Sequence, residues 1–212
     1  MSLEKVLAVA ESQLGKTEFP KGSNLTPYGQ AYGLNGYPWC VMFLWWCFHE
    51  AKENMAFFGG AQTASCGQLL RWYKSMGLTV PVEEIQPGDI VILNFSGTKD
   101  TEHCGLVTRV MGAGRFRTIE GNTTPGEEGS QDNGGSVAQK TRFAANVVGV
   151  CRPVYTPDKP LDYKGHWAEE SINYAKAQGL MVGYPDGDFH PDEPCTRAQV
   201  AEILWRMGAK SK

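Results

Sequence analysis

Apolar positions near the start of the chain recur at helical spacing. Leu3, Val6, Leu7, Ala10 and Leu14 fall on one stripe, with Glu4 and Glu11 off it, and predict a helix over 3–14. The segment 15–38 is rich in Gly, Pro, Asn and Tyr and reads as a long loop. Pro38 then stands just ahead of a helix over 40–54, opened by the most apolar run of the chain, "WCVMFLWWCF". A further helix is expected over 65–76, with Gly77 as its stop. The pattern changes at "QPGDIVILNF", where Pro87-Gly88 makes a turn and 90–95 is β-rich. "HCGLVTRVMGAGRFRTIEGN" predicts a strand, a glycine turn and a second strand, and "NVVGVCRPVY" a last strand. Helices first and antiparallel strands second is an α+β order.

The pattern changes again after residue 155. "TPDKPLDYKG" carries two prolines and places a linker at 156–161, between a first domain over 1–155 and a second over 162–212. "HWAEESINYAKAQG" has acidic residues in its first turn and Gly179 as a stop. "TRAQVAEILWRM" opens with Thr196 and Gln199 in capping-box spacing, and Val200, Ile203, Leu204 and Met207 mark one helical face. This part reads as a small helical hairpin.

Composition narrows the function. The 212 residues are 42% hydrophobic and 20% charged, with a formal net charge of −3. No Lys/Arg block stands out, so nucleic acid is not an expected partner. His49-Glu50 ends the longest apolar run well short of a membrane span. The N-terminus lacks the pattern of a signal peptide, which leads to the expectation of synthesis in the cytoplasm. The six cysteines, at 40, 47, 66, 104, 151 and 195, show no CxxC spacing. Cys40 and Cys47 on one helix would lie about 10.5 Å apart by helical rise, too far for a disulfide.

A cysteine in an apolar run is ordinarily core material, and Cys47, Cys66, Cys151 and Cys195 keep that reading. Cys40 differs because it follows a loop and Pro38 at the start of a helix. Backbone N–H groups and the helix dipole there favour a thiolate, and the same N–H groups can hold an oxyanion. A thiolate needs a base. His49 lies on the same helix away from that end, and His166 and His190 lie in the second domain, which leaves His103. The base needs an orienting group. "TIEGN" offers Glu120 and Asn122, two apart and so expected on one face. Zinc competes for Cys and His, but His103 and Cys104 are adjacent on a strand and should face opposite ways, and no HExxH is present.

"NGYPWCVMFLWWC", "PGDIVILNF", "EHCGLVTRV", "TIEGNT" and "VGVCRPVY" together resemble a CHAP domain, the cysteine, histidine-dependent amidohydrolase/peptidase family, over about 1–155. The resemblance implies a papain-like α+β fold and hydrolysis of peptidoglycan amide bonds. Cys40 would be the nucleophile, His103 the base, Glu120 its orienting group and Asn122 a further polar residue of the site. The activity implied first is that of an N-acetylmuramoyl-L-alanine amidase of the phage endolysin kind, released to the Gram-positive wall by a holin. The alternatives are an endopeptidase cutting the stem or cross-bridge peptide, as in a bacterial autolysin, and a wall-binding protein without activity. Some phage members carry an Asp-rich calcium loop ahead of the nucleophile. "KGSNLTPYGQAYGLNGYPW" has no Asp or Glu, so no calcium, no other metal and no cofactor is expected. Cys104 stands where Val, Thr or Ile is usual in the family and reads as a small buried hydrophobe.

"DYKGHWAEESINYAKAQGLMVGYPDGDFHPDEPCTRAQVAEILWRM" resembles one S-layer homology (SLH) motif. That implies binding of secondary cell-wall polysaccharide, with Asp162, Trp167 and Arg197 as the contacts. Trp167 could equally pack the hairpin, and Asp186 and Asp188 read as turn formers. SLH motifs generally pack in threes, so the apolar face of this single motif would be covered either by the chain's own first domain, giving a monomer, or by the same motif of two further chains, giving a homotrimer, and the second is the favoured expectation.

Overall fold

The computed structural model describes residues 2–98, 100–126, 129–156, 161–184 and 188–209. The chain divides into two compact units, Met1–Pro157 and Asp158–Lys212. Most of the expected linker lies outside the described residues.

In the first unit, helix α1 (Ser2–Ser12) buries Val6 and Ala10. Leu14, the last position of its apolar stripe, falls beyond the helix end and is exposed. The stretch read as a loop contains a short helix, α2 (Pro27–Tyr32). Its signals are local rather than periodic. Thr26 caps it by accepting from the Gly29 N–H at 3.0 Å, Pro27 fills its first turn and Gly33 ends it at φ 87°. Six residues are too few to show a hydrophobic stripe. Helix α3 (Cys40–Glu50) follows, and α4 (Cys66–Ser75) is capped by Ser65, whose hydroxyl accepts from the Gln68 N–H at 3.3 Å. Helix α3 ends before the expected residue 54, at Ala51, and a 3-10 turn over Asn54–Ala56 takes over.

Among the described residues six strands form one antiparallel sheet: β1 (Thr79–Val80), β2 (Ile90–Leu93), β3 (His103–Gly112), β4 (Arg115–Thr123), β5 (Ser136–Phe143) and β6 (Val147–Cys151). Their order across the sheet is β1-β6-β2-β3-β4-β5. Strand β5 had no hydrophobic signature. Its buried alternate positions include Lys140 and Arg142, whose charges are met inside the fold. Lys140 Nζ donates to the Thr124 carbonyl at 3.0 Å and to that of Gly126, so the period of two is carried by paired polar groups.

Both faces of the sheet are covered, which is why β2 reads as an unbroken apolar run and is buried at every position. Ile90, Ile92, Cys104, Leu106 and Ile119 face α3 and join its Val41–Leu44, Cys47 and Phe48, with Tyr28, Leu69 and Tyr73 closing the layer. Val91, Leu93, Val107, Phe116 and Val150 form the opposite cluster with Ile85 and Phe95. Fully burying side chains of this size contributes about 1.5–3 kcal/mol each, so α3 is the principal anchor of the unit. It lies close on β4: a Cβ at Gly121 would fall 2.5 Å from Phe43 Cβ and 2.8 Å from the Trp39 ring.

The second unit holds helices α5 (Glu169–Ala177) and α6 (Arg197–Ala209). The capping box forms as expected. Gln199 Oε1 accepts from the Thr196 N–H at 2.7 Å, and Thr196 Oγ1 accepts from the Gln199 N–H at 3.2 Å. Its core is small, with Tyr163 and Ile172 buried, while Val200, Leu204 and Met207 remain exposed. Asp186 lies outside the described residues. The Asp188 carbonyl accepts from the Tyr184 N–H at 2.8 Å.

The close approach of α3 to β4 makes Gly121 a test of the packing. Gly121→Ala should destabilise the first unit by about 1–3 kcal/mol through overpacking against Phe43 and Trp39, measured by urea denaturation followed through tryptophan fluorescence. Unchanged stability would show that α3 can shift away from the sheet without cost.

Candidate active site

Cys40 is the first residue of α3. Trp39 before it has φ −119° and ψ 17°, outside the helical region, and gives the helix no side-chain cap. The N–H groups of the first turn are therefore left for other acceptors, and they surround the Cys40 sulfur with positive potential. The thiol itself is nearly buried, with 6% of the residue exposed.

His103 is the first residue of β3 and is fully buried. Its Nε2 lies 3.0 Å from Glu120 Oε2 on the adjoining strand β4. Glu120 is held on both oxygens. Thr118 Oγ1 donates to Oε1 at 2.6 Å, Arg142 Nε donates to Oε1 at 2.8 Å, and Arg142 Nη2 donates to Oε2 at 2.5 Å. A Cβ at Gly105 would meet Glu120 Cγ at 2.7 Å, so a glycine there leaves room for the carboxylate. Phe95 closes the assembly. Its ring centroid lies 6.1 Å from that of His103, and the Arg142 Cζ is 4.7 Å from it.

The electrostatics follow from these contacts. Burial raises the Glu120 carboxyl, but the bonds and charges of Arg142 and His103 outweigh it and hold its pKa down at about 2. Burial lowers the His103 pKa, but the neighbouring Cys40 sulfur and the bonded Glu120 carboxylate raise it to about 9. Hydrogen bonds from Cys104 and then Cys66 bring the Cys40 thiol well below its ordinary range; burial opposes them and His103 adds to them. These directions favour a Cys40 thiolate and a charged His103, with the Glu120 carboxylate bonded to the ring at Nε2. With Nε2 engaged by Glu120, Nδ1 is the ring nitrogen left without a hydrogen bond in the buried interior.

Three features differ from the expectation raised by the chain's pattern. First, Cys66 and Cys104 are buried, but they are not merely core. Their sulfurs and that of Cys40 all lie within 4.8 Å of one another, and Cys40 Sγ is 3.9 Å from Cys66 Sγ. His103 and Cys104 do take opposite faces, Cys104 in the layer against α3 and the His103 ring beside Phe95, yet both act on the Cys40 thiol. Second, Asn122 does not join Glu120. The register of β4 shifts between Glu120 and Thr123, and Asn122 has φ 60°. Its side chain donates to Asn133 Oδ1 at 3.0 Å and accepts from the Gly135 N–H at 3.2 Å, bracing the connection to β5. Third, Arg142 and Thr118 belong to the assembly and were not foreseen. Their signal was the alternation of "VAQKTRF" opposite "RTIEGN", which becomes legible only once the two strands are paired.

In the second unit, Asp162 accepts from the Phe189 N–H at 3.0 Å and from the His190 N–H at 2.6 Å, so its carboxylate pins the turn before α6. Trp167 is 90% exposed, which removes it from the hairpin core. Arg197 opens α6 and is also exposed. A groove of about 570 Å³ in the same unit is lined by Tyr184, Phe189, His190, Gln199, Glu202 and Arg206, among others, and none of the three expected contacts lines it.

Comparison with known proteins agrees with this division. Residues 32–122 match the CHAP domain family model, and residues 161–201 match that of the S-layer homology domain. One region of the chain thus matches the CHAP domain and a later one the S-layer homology domain. The second region is similar to the S-layer protein of Bacillus licheniformis, 44% identical over 72 residues that cover 32% of this chain and 8% of that protein. It is also similar to cell surface glycoprotein 1 of Acetivibrio thermocellus, 47% identical over 47 residues that cover 22% of this chain and 2% of that protein. The chain therefore spans less than a tenth of the length of these relatives. Among solved structures, the endolysin LysIME-EF1 aligns with a TM-score of 0.42 and 19% identity, covering 72% of this chain and 64% of that one. The Resuscitation Promoting Factor Interacting protein RipA aligns with a TM-score of 0.43 and 18% identity, covering 73% and 63%.

Arg142→Met tests the ion pair. Removing the guanidinium leaves a buried carboxylate short of charge and should cost about 3–5 kcal/mol at neutral pH. In the native protein the lowered Glu120 pKa contributes stability that is present above its ordinary value of 4.5 and lost as pH falls towards about 2. The gap between native and variant proteins should therefore narrow in acid, as read by urea denaturation across pH. A gap independent of pH would mean that Arg142 acts only by packing on Phe95. A second test reads the thiolate. In mildly acidic buffer, iodoacetamide should label Cys40 ahead of Cys66 and Cys104, whose thiols are pushed well up. Peptide mass mapping showing equal labelling of the three would contradict the assigned pair.

Proposed function

We propose that the protein is a cell-wall hydrolase: the first unit cleaves an amide bond of peptidoglycan, and the second holds the enzyme to wall polysaccharide. The observation that carries this reading is the Cys40–His103–Glu120 assembly at an uncapped helix start, in a chain that also carries an S-layer homology domain. In the proposed mechanism the Cys40 thiolate attacks the amide carbonyl and the N–H groups of the first turn of α3 hold the oxyanion. His103 donates a proton from Nδ1 to the leaving amine, and water, deprotonated by the same nitrogen, then clears the thioester. Glu120 keeps the ring oriented and charged, and Arg142 and Thr118 keep Glu120 in place. The bond assigned first is that between N-acetylmuramic acid and L-alanine.

Trp167 and Arg197 are proposed as the polysaccharide contacts, an indole face for a sugar ring and a guanidinium for an anionic substituent. Asp162 is proposed to act beside them through the turn it pins. The exposed apolar face at Val200, Leu204 and Met207 is proposed to be covered by the same unit of two further chains, which would gather three wall-binding surfaces.

Lysis and anchoring separate cleanly by mutation. Cys40→Ser should abolish turbidity loss of Gram-positive cell walls while the protein still sediments with them. Full lysis by the variant would remove Cys40 from the mechanism. Mass spectrometry of fragments released by the native enzyme should show stem peptides freed from muramic acid, whereas peptides cut internally would make it an endopeptidase. Light scattering should give three times the mass of one chain, and a monomer at all concentrations tested would dismiss the trimer.

A further inference from the structure

We propose that Cys40, Cys66 and Cys104 form a binding site for a thiophilic metal ion, zinc(II) in particular, and that its occupancy takes the nucleophile out of action. The three residues come from separate elements. Cys40 opens α3, Cys66 opens α4 and Cys104 is the second residue of β3. All three are unoxidised and buried, and their sulfurs converge within 4.8 Å, with 3.9 Å between Cys40 and Cys66.

These separations fit a metal. With Zn–S bonds of about 2.3 Å, two sulfurs of a tetrahedral site stand about 3.8 Å apart. The Cys40–Cys66 edge already has that length, and the other two edges exceed it by about 1 Å at most, within reach of side-chain rotation at Cys66 and Cys104. Three sulfurs with no carboxylate among them select soft or borderline ions and disfavour calcium and magnesium. A nitrogen donor adjoins the cluster. His103 is fully buried beside Cys40, its Nδ1 lacks a hydrogen-bond partner, and its Nε2 is bonded to Glu120. A carboxylate on the far nitrogen is the support that metal-binding histidines ordinarily have. Binding replaces S–H by S–Zn at Cys66 and Cys104 and, with His103 as the fourth ligand, replaces N–H by N–Zn at Nδ1; these protons go to solvent, and no oxidant or reductant is involved.

The consequence for catalysis rests on the reading of Cys40 as the nucleophile. Zinc would engage the sulfur lone pair that attacks the carbonyl, so the bound form is silent. A chelator would then raise lytic activity, the reverse of its effect on a metal-dependent hydrolase.

Binding can be measured without any assay of lysis. The full chain, reduced with a phosphine and freed of metal, is titrated with cobalt(II) and then with zinc(II). We expect a near-ultraviolet sulfur-to-cobalt charge-transfer band that saturates at one ion per chain and is bleached by one equivalent of zinc. Cys66→Ser and Cys104→Ala should each weaken cobalt binding by more than the roughly 10–100-fold that loss of an outer-sphere partner costs. Cys195→Ser, at an exposed position in the other unit, should leave the band intact. Circular dichroism melts confirm that the variants fold, and Cys104→Val replaces any Cys104→Ala protein that does not. Absence of the band in the native chain, or its persistence in both Cys66 and Cys104 variants, overturns the site. If the metal binds at these cysteines but lysis is unaffected, the site stands and the nucleophile assignment fails. If lysis requires Cys40 but no metal binds, the site alone fails.

Discussion

A carboxylate with no exposure to water lies between an imidazole and a guanidinium at the centre of the first unit. Burying Glu120 alone would be prohibitive. The fork of Arg142, the Thr118 hydroxyl and the His103 ring together satisfy both of its oxygens. Meeting that requirement organises much around it. Strand β5 must enter the sheet to bring Arg142, Gly105 must lack a side chain to admit the carboxylate, and Phe95 must cover the guanidinium. The His103 ring is thereby fixed in orientation, with Nε2 on the carboxylate and Nδ1 left without a hydrogen bond. A buried charge network of this kind adds little net stability compared with an apolar core. Its value lies in the geometry that it imposes.

The other half of the site is set by a helix start. Helix α3 is anchored along its length by large apolar side chains, so its first residue is held in place with little freedom of its own. That residue presents a sulfur to unpaired N–H groups on one side and to two further thiols and an imidazole on the other. Donor S–H groups at Cys66 and Cys104 and the imidazolium favour the Cys40 thiolate. The same proximity makes the three sulfurs a ready ligand set for a soft ion. In the proposed reading, reactivity towards a carbonyl and affinity for a metal would arise from one arrangement and oppose each other.

The second unit rests on different physics. Its order comes from local devices: a capping box at Thr196 and Gln199, the Asp162 carboxylate across the N–H groups of Phe189 and His190, and a core of few residues. Such devices shape a hairpin but bury little surface, and its outward apolar face is the part that asks for a partner.

The pattern of residues alone determined the helical stripe of α1, the apolar run of α3, the Thr196 cap, the runs of β2, β3, β4 and β6, and the α+β order. These depend on spacing within a few residues, which the chain displays directly. The placement of Cys40 at a helix start and of His103 and Glu120 on successive strands was legible for a related reason, since each belongs to a short segment with its own pattern. Tertiary structure decided the rest. Strand β5 and Arg142 were hidden because their burial is compensated by ions and carbonyls rather than by apolar neighbours. Asn122 left the site because a shift of register turned its side chain towards Asn133 and Gly135. Cys66 and Cys104 became neighbours of Cys40 only when α4 and β3 were brought against α3. Spacing along a chain specifies which face a residue takes on its own element, but which elements meet there depends on long-range packing, and that is where the charge pairing and the thiol cluster were made.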